Sequence, residues 1–251
     1  MNASSICSGS SVLELNTYSI VARCERSGAL GVAVASAVPA VGAMCPYLIP
    51  GVGAVSTQSW VNPYLAIDAL HAMRSGASAS AALERVLAAD GDAVLRQIGV
   101  IGATGPGVAW TGSQCTPWKG HLTGVDFAIQ GNMLTGPATL DAMQDAWRAT
   151  SADDFAERLL QVLEAGDQAG GDFRGKQSVA VKIVDKEAYA RVDLRVDDHV
   201  QPIIELRRLF ELARKQLFPF IEGMNKRYGP QVGLSDDVTG LLLRSPSNRV
   251  D

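Results

Sequence analysis

Lysine is absent before Lys119, and histidine occurs only three times in 251 residues, at His71, His121 and His199. None of the three has an acid or thiol at a spacing that announces a triad or a metal site. The four cysteines, Cys7, Cys24, Cys45 and Cys115, form no metal-type pair and are too sparse for a disulfide scaffold, so reduced thiols and a cytoplasmic location are expected. Charge of one sign is also missing: the formal net charge is -4, with acids and bases interspersed, which excludes an electrostatic footprint for nucleic acid or for an anionic membrane. No run is long or apolar enough to span a bilayer, and MNASSICSGSSVLELN lacks the basic start and continuous apolar core of a signal peptide. Neither a phosphate loop nor a dinucleotide fingerprint occurs, and GVGAVS at 51–56 fails as either. No cofactor or metal is expected.

What remains is a soluble composition, 47% hydrophobic, long enough for one sizeable core. Residues 1–16 are read as a flexible extension, 17–222 as the folded domain and 223–251 as a poorly anchored tail. TYSIVAR and ALGVAVASAV, joined by ERSG, predict a hairpin, and GVGAVSTQ predicts another strand. These runs are apolar at nearly every position, as expected when both faces of a sheet are covered. Helices are predicted over NPYLAIDALHAMRSG and ASAALERVLAAD, then strands over RQIGVIGAT, GVAWTGS and DFAIQGN, with His121 in a loop, KGHLTG. Helices from about Pro137 and about Ala152 precede a second hairpin, QSVAVKIV and AYARVDLRV, and a last helix, PIIELRRLFELARKQLF. Asp197 and Asp198, just before that helix, are expected to cap it. The order favours an α+β fold, a four-layer αββα sandwich of two antiparallel sheets with helices outside.

Five stretches carry candidate chemistry. On a strand, Thr17, Ser19, Val21 and Arg23 share one face, which puts the Thr17 hydroxyl at the strand's mouth. In AIQGNML, Gln130 and Asn132 project together beside Gly131, as oxyanion donors would, although Asn132 serves equally as a turn cap. In AGGDFRGKQS, Asp172 and Arg174 suit an ion pair that fixes the loop or presents Arg174 to a carboxylate. Ser56, Thr57, Gln58 and Ser59, in STQSWVNP, either line a site or cap the helix that follows. Ser36 or Cys24 is an alternative nucleophile, without a recognisable base.

Together TYSIVAR, GALGVAVASAVPAVGA, PGVGAVSTQSWVNP, RQIGV, WTGSQCTPWKGH, FAIQGNML, GGDFRGKQSVAV and DLRVDDHVQPIIELRRL resemble an uncharacterised family related to the N-terminal nucleophile (Ntn) hydrolases, the domain of unknown function numbered 1028. The resemblance runs from Asn16 to about Phe218. It implies the same four-layer sandwich and a threonine nucleophile, here Thr17, whose own free α-amino group is the base. Combined with the residue patterns above, the hypothesis makes Asn132 and Gln130 the oxyanion donors and Asp172 with Arg174 the substrate-orienting pair, with Arg23, Ser36, Ser56 and Gln58 also expected around a small-molecule substrate. The chain departs from the pattern: sixteen residues precede Thr17, no lysine lies near it, and arginine at position 23 holds its proton too firmly to be a base. The expected function is hydrolysis of an amide or other non-peptide C–N bond once the extension is removed. The alternative is a non-catalytic ligand-binding or assembly protein of the same fold, and a homo-oligomer joined through the outer helices is expected in either case.

Overall fold

Thr17 opens the first strand and pairs with Ser36 on one side and Asn132 on the other, so the sheet is built around it. The computed structural model describes residues 17–249; the extension assigned to residues 1–16 lies outside them, as does Cys7. The strands and helices run β1 (Thr17–Arg23), β2 (Leu30–Ser36), α1 (Val41–Met44), β3 (Pro46–Ile49), β4 (Gly53–Ser59), α2 (Pro63–Arg74) and α3 (Ala79–Ala89). They continue as β5 (Arg96–Gly102), β6 (Val108–Thr111), β7 (Gly120–Thr123), β8 (Phe127–Asn132), α4 (Ala138–Ala149), α5 (Phe155–Gln168), β9 (Ser178–Val184), β10 (Ala190–Val196), α6 (Pro202–Gln216), α7 (Phe218–Gly223) and α8 (Asp236–Leu242).

Two antiparallel sheets result. One has six strands in the order β10-β9-β2-β1-β8-β7, the other four in the order β3-β4-β5-β6. Period-two alternation sorts each strand's side chains between the helices and the facing sheet. Tyr18, Ile20 and Ala22 join Leu140, Met143, Trp147, Leu159, Leu163, Leu206 and Phe210 in the core under α4, α5 and α6. Val55, Ile98 and Val100 meet Leu65, Leu70, Leu83 and Val86 under α2 and α3. Between the sheets lie Val21, Leu30, Val32, Ala54, Ile101, Ala128 and Val184. The fold is the expected αββα sandwich of two antiparallel sheets, with helices covering both outer faces.

Local chemistry sets the ends of the helices. Asn62 accepts from the Tyr64 amide at α2, where Pro63 opens the helix, and Ser78 accepts from the Ala81 amide at α3. Asp154 accepts from Ala156 and Glu157 at α5, which therefore starts at Phe155 and not near Ala152. Asp197 and Asp198 do not cap α6. Its N-cap is Gln201, Asp198 accepts from the Gln177 side chain and Asp197 pairs with Arg195. KGHLTG is the short strand β7, not a loop, because its backbone pairs with β8 from Gly120 to Thr123. Residues 224–249 are exposed along most of their length. They are tied to the body where Glu187 accepts from the Arg227 and Tyr228 amides and Tyr189 donates to the Asn225 carbonyl.

Candidate functional site

The layer between the sheets changes character along its length. At one end it is aliphatic; at the other the inward positions of β1, β2, β4, β5 and β8 are Thr17, Ser19, Ser36, Ser56, Gln58, Gln97, Gln130 and Asn132, all wholly buried. Register brings them together: Ser178, Ser36, Thr17 and Asn132 form one row across the six-stranded sheet. Gln58 and Gln97 pair on the facing sheet, with Thr111 beyond them.

A continuous hydrogen-bond network follows. The Thr17 hydroxyl donates to Ser36 Oγ at 3.1 Å, and Gln58 Nε2 donates to the Thr17 carbonyl at 3.1 Å. Ser19 donates to Gln58 Oε1 at 2.6 Å and accepts from Gln130 Nε2 at 2.6 Å. Gln97 Oε1 accepts from Gln58 Nε2 at 2.8 Å and from Asn132 Nδ2 at 2.9 Å. Gln97 Nε2 faces the carbonyls of Gly120 and Gly131, at 3.1 and 2.8 Å, and Thr111 Oγ1 at 2.9 Å.

Backbone carbonyls only accept, so Gly120 and Gly131 dictate which end of the Gln97 amide faces them, and each neighbouring amide is oriented in turn. Asn132 and Gln130 consequently commit an amide N–H to Gln97 and Ser19, while Asn132 Oδ1, Gln130 Oε1 and the Ser56 hydroxyl are buried without a hydrogen-bond partner among the described residues. Each amide nitrogen retains a second N–H. Gly99 makes room for Gln130: a Cβ there would stand 2.1 Å from Gln130 Oε1.

The backbone is strained at this same end. Ala40, Ser59 and Met133 are non-glycine residues at positive φ: Ser59 ends β4, Met133 directly follows β8, and Ala40 lies between β2 and α1. Such conformations cost ~1–3 kcal/mol apiece and persist where surrounding structure over-determines them. Met133 is held by its amide to the Thr116 carbonyl and by its carbonyl from the Phe173 amide.

The loop with Asp172 and Arg174 abuts this end. Gln177 donates its amide to the Ser36 carbonyl, and Asp172 bridges to Leu134. The Asp172 side chain is fully buried, accepting from the Arg174 amide at 2.9 Å and from its guanidinium at 3.3 Å. Burial raises the Asp172 pKa from its ordinary value, against the opposing effect of the Arg174 amide and guanidinium and of the Ala37 amide. Burial likewise pushes the Tyr18 phenol up, with Asp167 and Asp172 adding to it. The Arg174 side chain is partly exposed.

Seven of the residues expected to act together, Thr17, Ser36, Ser56, Gln58, Gln130, Asn132 and Asp172, gather at this end, with Arg174 beside them. Arg23 does not join them. It sits at the other end of β1, about 20 Å along the strand, where its guanidinium donates to the carbonyls of Gly102, Gly105 and Val125. Gln97, the hub, is a residue sequence reading did not single out. Cys24, Cys45 and Cys115 are buried free thiols, and burial takes Cys45 up to about 12. Among the described residues no group of His, Cys, Asp or Glu is gathered to hold a metal ion. No helix of the described residues is long and apolar enough to cross a membrane.

A two-sheet sandwich with helices outside and a polar, strained end centred on the first residue of β1 defines the class of protein. The model of a family of unknown function, DUF1028, matches residues 17–206, and the chain belongs to that family. Its structure is similar to that of protein SPO2555 from Silicibacter pomeroyi, described as DUF1028, with a TM-score of 0.75 and 29% identity over 81% of this chain and 91% of that one. Anbu (ancestral beta-subunit) from Yersinia bercovieri matches with a TM-score of 0.38 and 12% identity, over 83% of this chain and 100% of that one. An Anbu mutant from Hyphomicrobium sp. strain MC1 matches with a TM-score of 0.37 and 16% identity, over 84% and 100%. No curated protein matches the chain.

Proposed function

We propose that this chain is an Ntn-type, cofactor-independent hydrolase of an amide or other non-peptide C–N bond in a small metabolite, with Thr17 as nucleophile once it is the amino-terminal residue. The observation that carries the reading is the position of Thr17: first residue of a central strand, hydroxyl turned between the sheets and bonded to Ser36 Oγ, at the polar end of an otherwise aliphatic layer.

Among the described side chains bonded to Thr17 none is a general base, and a free α-amino group supplies one. The amine takes the proton of the Thr17 hydroxyl as Oγ1 attacks the substrate carbonyl, and the negative charge gathers on the carbonyl oxygen. The remaining N–H of Asn132 and that of Gln130 are the donors nearest in register for that oxygen. Collapse expels the amine with the proton, leaving an ester on Thr17, which water cleaves to the acid. Gln58 holds the Thr17 carbonyl, and hence the reacting residue, in place. Arg174, partly exposed, orients a substrate carboxylate. The proposal places the protein in the cytoplasm, its thiols reduced, as a homo-oligomer.

The test is turnover of a panel of small amides by the form beginning at Thr17. Thr17→Ser retains activity and Thr17→Ala loses it with the fold intact by circular dichroism; full activity in Thr17→Ala would sink the assignment. A second reading, a non-catalytic binding or assembly protein of this fold, is favoured by the complete burial of Thr17, Ser36 and Asn132. It predicts a chain that keeps residues 1–16 and ligand binding indifferent to Thr17.

A further inference from the structure

The family match ends at residue 206, yet the chain beyond it builds a cavity of about 470 Å³ where α6, α7 and α8 meet β10. Its walls are Leu194, Leu209, Leu212, Leu217, Phe220 and Leu242. The volume falls within the roughly 300–1,000 Å³ typical of small-molecule pockets. Among the described residues two polar side chains enter the lining, Gln216 and Arg249, and no acid does. Arg249 is aimed by neutral oxygens: Nε donates to the Arg244 carbonyl at 3.1 Å, Nη1 to Gln216 Oε1 at 3.3 Å and Nη2 to the Leu242 carbonyl at 3.0 Å. Those bonds engage three of its five N–H groups, each with a neutral oxygen.

We infer that this cavity binds a medium- or long-chain aliphatic carboxylate, the chain along the leucines and the carboxylate on Arg249. An aliphatic wall selects length, because each buried methylene adds to affinity. A single guanidinium selects the anionic head, since a charge-assisted pair exceeds a neutral hydrogen bond. The site lies outside the sheet end that holds Thr17 and is independent of the function proposed there.

Calorimetric titration of the full chain with dodecanoate, dodecanol and dodecyltrimethylammonium, each below its micelle concentration, tests the inference. One dodecanoate binds per chain, roughly tenfold more tightly than dodecanol, with the cation weaker still. Decanoate and octanoate lose roughly fourfold for each methylene removed. Arg249→Gln abolishes the preference for the carboxylate and leaves dodecanol unchanged, while Arg249→Lys keeps the preference. Leu212→Trp, at a position 40% exposed and so tolerant of bulk, fills the cavity and blocks all three ligands. Equal affinity for the three head groups, no binding of dodecanoate, a preference that survives Arg249→Gln, or binding unaffected by Leu212→Trp would each overturn it.

Discussion

Asn132 on the six-stranded sheet donates its side-chain amide to Gln97 on the four-stranded sheet at 2.9 Å, and Gln97 holds Gln58, which holds the Thr17 carbonyl. The two sheets of the sandwich are thus joined at one end by side-chain amides instead of by aliphatic contact. Because the orientation of each amide follows from backbone carbonyls that can only accept, the network is a rigid frame around Thr17.

Removing the hub is expected to be costly. Gln97→Leu removes the acceptor that the Gln58 and Asn132 amides share and the donor that faces the carbonyls of Gly120 and Gly131 and the Thr111 hydroxyl. At ~1–3 kcal/mol for each buried group left unpaired, the loss is expected to reach ~3 kcal/mol or more. Urea unfolding measures it as a lowered midpoint at unchanged slope; a loss below ~1 kcal/mol would mean that the frame relaxes freely.

Gly99 is a packing requirement of Gln130. In Gly99→Ala the new methyl group would meet the Gln130 amide at 2.1 Å, and this amide is the partner of Ser19. Overpacking of this kind costs ~1–3 kcal/mol. The matching double variant Gly99→Ala, Gln130→Ala is expected to recover part of the loss, and additive effects would contradict the contact.

Arg23 tells against a role near Thr17. Its guanidinium ties β1 to the Gly102, Gly105 and Val125 carbonyls at the far end of the strand. Arg23→Ala is expected to lower stability by ~1.5–3 kcal/mol, the range for bonds to a charged group, and to leave kcat/KM of the Thr17 form unchanged. A selective loss of turnover would restore it to the site.

Asp172 makes stability depend on pH in an unusual sense. Its folded pKa is raised, with burial the largest cause, so the folded chain binds the Asp172 proton more tightly than the unfolded chain does. The contribution is fully present below the unfolded value, near 3.9, and is lost as pH rises through the folded value. Native protein compared with Asp172→Asn is therefore expected to be relatively most stable at acid pH and to lose ground as pH rises. Thermal unfolding of both across that range checks the sign; a difference that grows with pH would place the group's pKa below the usual range.

Much of this was legible in the chain. Alternation along TYSIVAR put Thr17 and Ser19 opposite Tyr18 and Ile20, and the structure divides them between the inter-sheet layer and the helix-side core. Gln130 and Asn132 stood out because two amides flank a glycine. Gln97 did not, since a single glutamine in RQIGVIG has no meaning until strand register sets it beside Gln58, a relation of non-local pairing. The strands β3 and β7, four residues each, are too short to show a period and exist because a longer neighbour offers a ladder. Asp197 and Asp198 fit a capping pattern that partners from β9, β10 and their flanks claimed instead.

The most direct test of the account is the intact mass and amino-terminal sequence of the protein purified from its own host. A chain beginning at Thr17 is the predicted result, and its free amine then carries the pH dependence of amide turnover. A chain that retains residues 1–16 would contradict the account and leave Thr17 a buried strand residue within a binding protein.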